Sequence, residues 1–155
     1  MTGKTDVSPV ANSSAKSPAQ RLLSRWRDQA PRLLSVLRIV CAFLFMQYGT
    51  AKLFAFPAAI MPGGATAPLW SLTWFAGVLE TFGGLLLLLG LSTRPVAFVL
   101  SGQMAVAYWM FHAPQGFWPM LTHGDPAAFF CFVWLYVSAA GPGPWSLDGL
   151  RKARI

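Results

Sequence analysis

Charge is scarce in this chain, and acidic charge most of all: Asp and Glu number 5 among 155 residues, and charged side chains of both signs make up 11%. A soluble domain carries about 25%. With 55% hydrophobic residues, the shortage excludes a water-soluble globule, because so short a chain has too much surface to hide that much apolar sequence. Cysteine is scarce too. Cys41 and Cys131 are the two present, so there is neither a disulfide framework nor a CxxC exchange motif. They fall in opposite halves of their apolar runs, on the order of 10 Å apart in depth, beyond disulfide reach, and read as small buried hydrophobes. Histidine appears only at 112 and 123. No pair has zinc-ligand spacing, so no metal site is expected. Phosphate-cradling glycine loops and nucleophile elbows are absent as well.

Basic residues are not scarce, at 12 Lys and Arg for a net charge of +7, but their placement excludes nucleic acid as a partner. Arg21, Arg25, Arg27 and Arg32 precede the first apolar run, Arg94 sits in a short connection, and Arg151, Lys152 and Arg154 close the chain. Basic residues so placed mark the cytoplasmic flanks of membrane spans, facing anionic headgroups.

What the chain has in abundance is long apolar runs. Residues 1–19, rich in Ser, Ala, Pro and Lys, read as a disordered tail. Residues 20–31 mix arginines with Leu22, Leu23 and Trp26, as a short helix on the inner membrane surface would. The apolar run after them is too long for the core of a cleaved signal peptide. Spans are predicted at about 33–54, 72–91, 95–112 and 126–140, the last short against the roughly 20 residues a helix needs. Asp125 and Pro126 read as N-cap and first residue of the fourth helix. The division is therefore a basic tail over 1–32, a four-span domain over 33–141 and a cytoplasmic basic tail over 142–155. The 57–71 and 113–126 loops lack Lys and Arg, which places both termini in the cytoplasm. The fold class is all-α, an integral membrane four-helix bundle with short loops. Trp26, Trp70, Trp109, Trp118 and Trp145 fall near the interfaces, as aromatic belts do.

An ionisable side chain at membrane depth points to function. Arg38, Lys52, Glu80 and His112 are the candidates. Arg38, Phe45, Gly49 and Lys52 recur on one helical stripe, as do Thr73, Gly77, Glu80 and Gly84, and again Ala97, Ser101, Ala105, Tyr108 and His112. Small residues in these stripes let helices approach closely. Glu80 needs a partner, since a lone carboxylate in hydrocarbon is costly, and Lys52 can reach it. Two readings stay open: a structural Lys52–Glu80 pair, and an outer-half binding pocket lined by Lys52, Glu80, Tyr108 and His112. Arg38 reads as a snorkelling anchor, and Asp125 as a structural cap.

Several stretches resemble the DoxX family of small bacterial membrane proteins. They are LRIVCAFLFMQYGTAKLF (37–54) with Arg38, Gly49 and Lys52; GVLETFGGLLLLLGLSTRP (77–95) with Glu80, Gly83, Gly84, Gly90 and Arg94; and GPGPWSLDGL (141–150). The resemblance covers about 33–150. Cys41 stands where the family tends to have glycine, and Pro144 where it is often basic. The resemblance implies a four-helix bundle in the bacterial cytoplasmic membrane and a link to quinone-dependent oxidoreductases. On that footing the expected role is an accessory, non-catalytic subunit, with quinone as ligand, oxidoreductase subunits as partners and a homo-oligomer as one form of assembly. The rival readings are a small proton-coupled transporter or channel, and a membrane scaffold.

Overall fold

The computed structural model describes residues 17–152, and among these every regular element is a helix. The chain divides into two compact units, Met1–Ala30 and Pro31–Ile155. In the first, the described residues open helix α1 (Pro18–Phe54). Ser17 and Gln20 form a capping box: Gln20 N donates to Ser17 Oγ at 3.2 Å, and Ser17 N donates to Gln20 Oε1 at 2.9 Å. Pro18 occupies the first helical position, where its missing N–H costs nothing. Most of the disordered tail read over 1–19 lies outside the described residues.

The separate short helix predicted at 20–31 is not separate. It and the first span are both parts of α1, which continues through Pro31. Proline deprives the carbonyl four residues earlier of its donor, and here that residue, Arg27, is exposed.

In the second unit, α1 is followed by α2 (Leu72–Leu89), α3 (Thr93–Gln115), α4 (Asp125–Ala140) and a short α5 (Leu147–Lys152). Helices α1, α2 and α3 are long and apolar enough to cross a bilayer. Helix α4 has 16 residues, about 24 Å of rise against a hydrocarbon core of about 30 Å. Ser71 caps α2 by accepting from Trp74 N at 3.1 Å. Gly90 closes the helix with φ +68°, and a Cβ there would fall 2.5 Å from that of Ser146. Both facts reserve the position for glycine.

Asp125 is not the cap of α4. Gly124 is, its carbonyl accepting from Ala128 N at 3.0 Å, so Asp125 is the first helical residue and its side chain makes no cap bond. A carboxylate in the first turn still favours the positive end of the helix dipole.

Phe45, Leu87, Leu100, Met104, Phe130, Trp134 and Val137 fill the core. Phe45 meets Phe130 and Trp134 with ring centroids 5.0 and 5.5 Å apart. Phe43, Phe82, Phe98 and Phe132 point outward and are more than half exposed. A chain whose outward faces are this apolar, on helices of this length, belongs in lipid. It is an all-α membrane protein. The five tryptophans assigned to interfaces are all exposed, whereas Trp134 is wholly buried.

Residues 142–152, read from sequence as a tail, fold back on the helix ends. Asp148 accepts Ser92 N and Thr93 N, one on each carboxylate oxygen and both at 2.8 Å, while its own N–H donates to Gly90 O at 2.9 Å. It thereby caps α3 from 55 residues away. Burial alone would raise the Asp148 carboxyl, but the Thr93 and Ser92 amides and the charge of Arg151 bring it below the ordinary carboxylate range. Arg94 closes α4 by donating to Ala139 O at 2.6 Å and Ser138 O at 3.2 Å.

Candidate functional site

At the Gly90 end, Arg38 is wholly buried. The snorkelling expected of it does not occur. Its Nε donates to Pro142 O at 2.9 Å, Nη1 to Leu87 O and to Leu88 O, and Nη2 to Trp145 O at 2.5 Å. Leu87 and Leu88 lie in the last turn of α2, where carbonyls run short of helical partners, Leu87 O accepting only the Gly90 amide at 3.2 Å, and where the dipole is negative. The fork of guanidinium donors fits this ring of carbonyls as no other side chain could. Ser35, also buried, accepts from Trp145 N at 3.2 Å.

The other end of the helices is different. Lys52, in the last turn of α1, places Nζ 2.5 and 2.6 Å from the two carboxylate oxygens of Glu80. Glu80 is 1% exposed and the Lys52 side chain 19%. Close packing of α1 on α2 permits the contact. A Cβ on Gly49 would lie 2.5 Å from Thr81 Oγ1 and 2.8 Å from Gly77 O, and one on Gly84 would lie 2.5 Å from Met46 Cγ. Small residues at these points bring the backbones together. The Lys52 carbonyl accepts Ala67 N at 2.7 Å and pins the 55–71 loop over the helix end.

Gln103, on α3, completes the cluster and was not singled out from the sequence. Its amide nitrogen donates to Glu80 Oε1 at 3.2 Å and to Ala76 O at 3.3 Å. It lies off the Ala97–Ser101–Ala105 stripe, on the face of α3 turned to α2. The available signal was that it is the lone amide in the third apolar run.

Two cavities adjoin the ion pair. One of about 230 Å³ is bounded by Phe45, Tyr48, Met104 and Phe130 together with His123. The other, about 300 Å³, is bounded by Met61, Leu72, Val106, Phe111 and Gln103. Lys52, Glu80, Ala107 and His112 line both. His112 Nδ1 is 2.8 Å from Thr122 O, so a neutral ring carries its proton there and leaves Nε2 as an acceptor. Tyr108 stacks on His112, centroids 6.4 Å apart at 30°, but lines neither cavity. Asp125 borders a separate cavity of about 600 Å³ lined by α1, the 55–71 loop and α4.

Glu80 lies in a π-helical turn (Leu79–Gly83), and Tyr108 and His112 lie in another (Tyr108–His112). Such turns occur mostly as single insertions in α-helices, and frequently at functional sites. Among the described residues no group of three or more His, Cys, Asp or Glu is placed to hold a metal ion.

Fold and site define a small all-α membrane protein built around a buried Lys–Glu pair with a cavity on either side. The DoxX family model matches residues 33–113, and the chain belongs to that family. It is similar to an uncharacterized protein of Haemophilus influenzae, 42% identical over 121 residues that cover 76% of this chain and 90% of the relative. It is also similar to an uncharacterized membrane protein of Mycobacterium tuberculosis, 29% identical over 134 residues covering 77% of this chain and 82% of the relative. No solved structure matches the chain significantly.

Proposed function

We propose that this DoxX-family protein is an accessory subunit of a membrane oxidoreductase and holds a quinone headgroup at Lys52, Glu80, Gln103 and His112. It crosses the cytoplasmic membrane four times with both termini inside, so that this cluster lies in the outer half of the bilayer. The basic residues at 21–32, 94 and 151–154 support that orientation.

The observation that carries the reading is the pairing of a buried ion pair with two cavities walled mainly by apolar side chains. A structural pair alone gives no reason for two cavities beside it, since interiors hold few voids larger than a water molecule. Cavities lined by apolar groups with a few convergent polar ones suit a small organic ligand. The donors fit a quinone. The Lys52 ammonium has three N–H bonds and Glu80 engages two of its directions, leaving a donor for a ligand oxygen. Glu80, or His112 through Nε2, can exchange a proton with a ligand oxygen. A bound quinone would supply the electron chemistry, with its redox partner residing in another subunit. Asp125 serves as a first-turn helix charge rather than as a ligand.

Purification of the wild-type protein from its own membranes, with extraction and identification of bound quinone, tests this. Quinone is expected with wild type and lost in Glu80→Gln. Its absence from both would overturn the reading.

A further inference from the structure

At the opposite end of the helices from Lys52 and Glu80, the α2–α3 connection and the closing segment border a cavity of about 320 Å³. Its charges do not cancel. Among the described residues Asp148 is the single acid on it, and both carboxylate oxygens already accept amides, those of Ser92 and Thr93. Arg94 spends one nitrogen, Nη1, on Ala139 O and Ser138 O, which fixes the guanidinium at the end of α4. Its Nε and Nη2 have no hydrogen-bond partner among the described residues. Together they form the edge of a guanidinium that takes two phosphate oxygens in parallel. Arg151, on α5, also lines the cavity and is exposed. It feels the Asp148 charge but donates no hydrogen bond to any described residue.

The surface beside these arginines is apolar. Phe98, one helical turn on from Arg94 and on the same face of α3, is more than half exposed. Leu147 and Leu150 on α5 are exposed as well. A soluble anion would gain from the guanidinium groups alone. A phospholipid gains from them while its chains stay in hydrocarbon, because the ends of membrane helices lie at headgroup depth. We propose that Arg94 and Arg151 bind the phosphate of an anionic phospholipid, whose acyl chains pass along α3 at Phe98. Two arginines against one carboxylate leave an excess of positive charge, and that carboxylate is already engaged, so an ammonium headgroup finds no free partner. The cavity therefore favours a glycerol headgroup over choline. Ser92, whose hydroxyl has no partner among the described residues, lines the same cavity and can hydrogen-bond the glycerol. This site is separate from the Lys52–Glu80 pair and stands whether or not a quinone binds there.

Two arginines meeting one extra negative charge should be worth about tenfold in affinity (about 1.4 kcal/mol). The test titrates the intact, delipidated protein in detergent with phosphatidylglycerol and with phosphatidylcholine of identical chains. Native mass spectrometry reads the dissociation constant of the first lipid bound. Phosphatidylglycerol should bind about tenfold tighter to wild type, and Arg151→Gln should narrow the gap to about threefold. Arg94→Gln combined with Arg151→Gln should erase it. Arg25→Gln, on the basic stretch of α1, should leave it unchanged. The wild-type comparison and Arg151→Gln stand even if the double variant, deprived of the Arg94 bonds to α4, does not fold. Equal binding of the two lipids to wild type, a gap that survives in Arg151→Gln, or one that shrinks as much in Arg25→Gln overturns the proposal. Inorganic phosphate, titrated by calorimetry at fixed ionic strength, should show no saturable binding. Saturable binding that Arg151→Gln abolishes would assign the arginines to a free anion and overturn the lipid site.

Discussion

Arg38 and Trp145, 107 positions apart, are joined by a 2.5 Å hydrogen bond from the guanidinium to the backbone carbonyl. Together with Leu87, Leu88 and Pro142, Trp145 gives Arg38 a cage made of carbonyls. One side chain thus ties α1 to the end of α2 and to the folded-back closing segment. Its charge is balanced by oriented dipoles, a solution that suits a site sealed from water.

Arg38→Lys should destabilise the protein by more than about 3 kcal/mol. A lysine keeps the charge but cannot reach four carbonyls in a planar fork, and each hydrogen bond to a charged group is worth about 1.5–3 kcal/mol. Unfolding in mixed detergent micelles, followed by loss of helicity, measures this. A cost below about 1 kcal/mol would show that the cage matters little.

Two glycines on the membrane helices should respond in opposite ways. A Cβ on Gly49 would meet Thr81 N at 2.6 Å, whereas one on Gly102 has nothing within 4 Å. Gly49→Ala should cost about 1–3 kcal/mol by forcing α1 from α2. Gly102→Ala, in the interior of α3, should stabilise by up to about 1 kcal/mol through helix propensity. Melting temperatures of the two variants against wild type give the answer.

Asp148 predicts a pH dependence. Its carboxyl is held below the ordinary range by the Thr93 and Ser92 amides. A carboxyl depressed in the folded state stabilises the fold above its unfolded value, about pH 3.9, and that contribution fades as pH falls through the folded value. Asp148→Ala should therefore melt below wild type at pH 7 by the worth of a helix cap, about 1 kcal/mol. The gap should narrow once the pH drops below about 4. Melting curves from pH 7 to pH 3 in detergent track the change.

The membrane class and the helices are legible in the sequence because hydrocarbon demands long apolar runs, and Lys52 and Glu80 stand out because charge in such runs is conspicuous. Helix periodicity also puts Gly49 and Gly77 on the stripes that touch. Gln103 escapes the same reasoning, being neutral and on a different face of α3 from the small-residue stripe. The π-helical turns at Leu79–Gly83 and Tyr108–His112 shift the helical register of the residues beyond them, and no residue pattern announces them. Tyr108 backs His112 instead of lining the cavities. Arg38 looks like a snorkelling anchor until the closing segment is seen to cover it, and Asp148 looks like a tail residue until its carboxylate is found on Ser92 and Thr93. Both depend on contacts spanning from 49 to 107 residues, which local pattern does not carry.

The reading of Lys52 and Glu80 as ligand groups can be separated from a structural role, because replacing a buried ion pair by apolar side chains is often neutral or stabilising. The decisive measurement is the quinone content per protein molecule, in nanodiscs formed directly from native membranes, of wild type and of the double variant Lys52→Met, Glu80→Met. Wild type should carry close to one quinone per chain, and the double variant none while melting at or above the wild-type temperature. Equal quinone in the two, or none in wild type, would contradict the account.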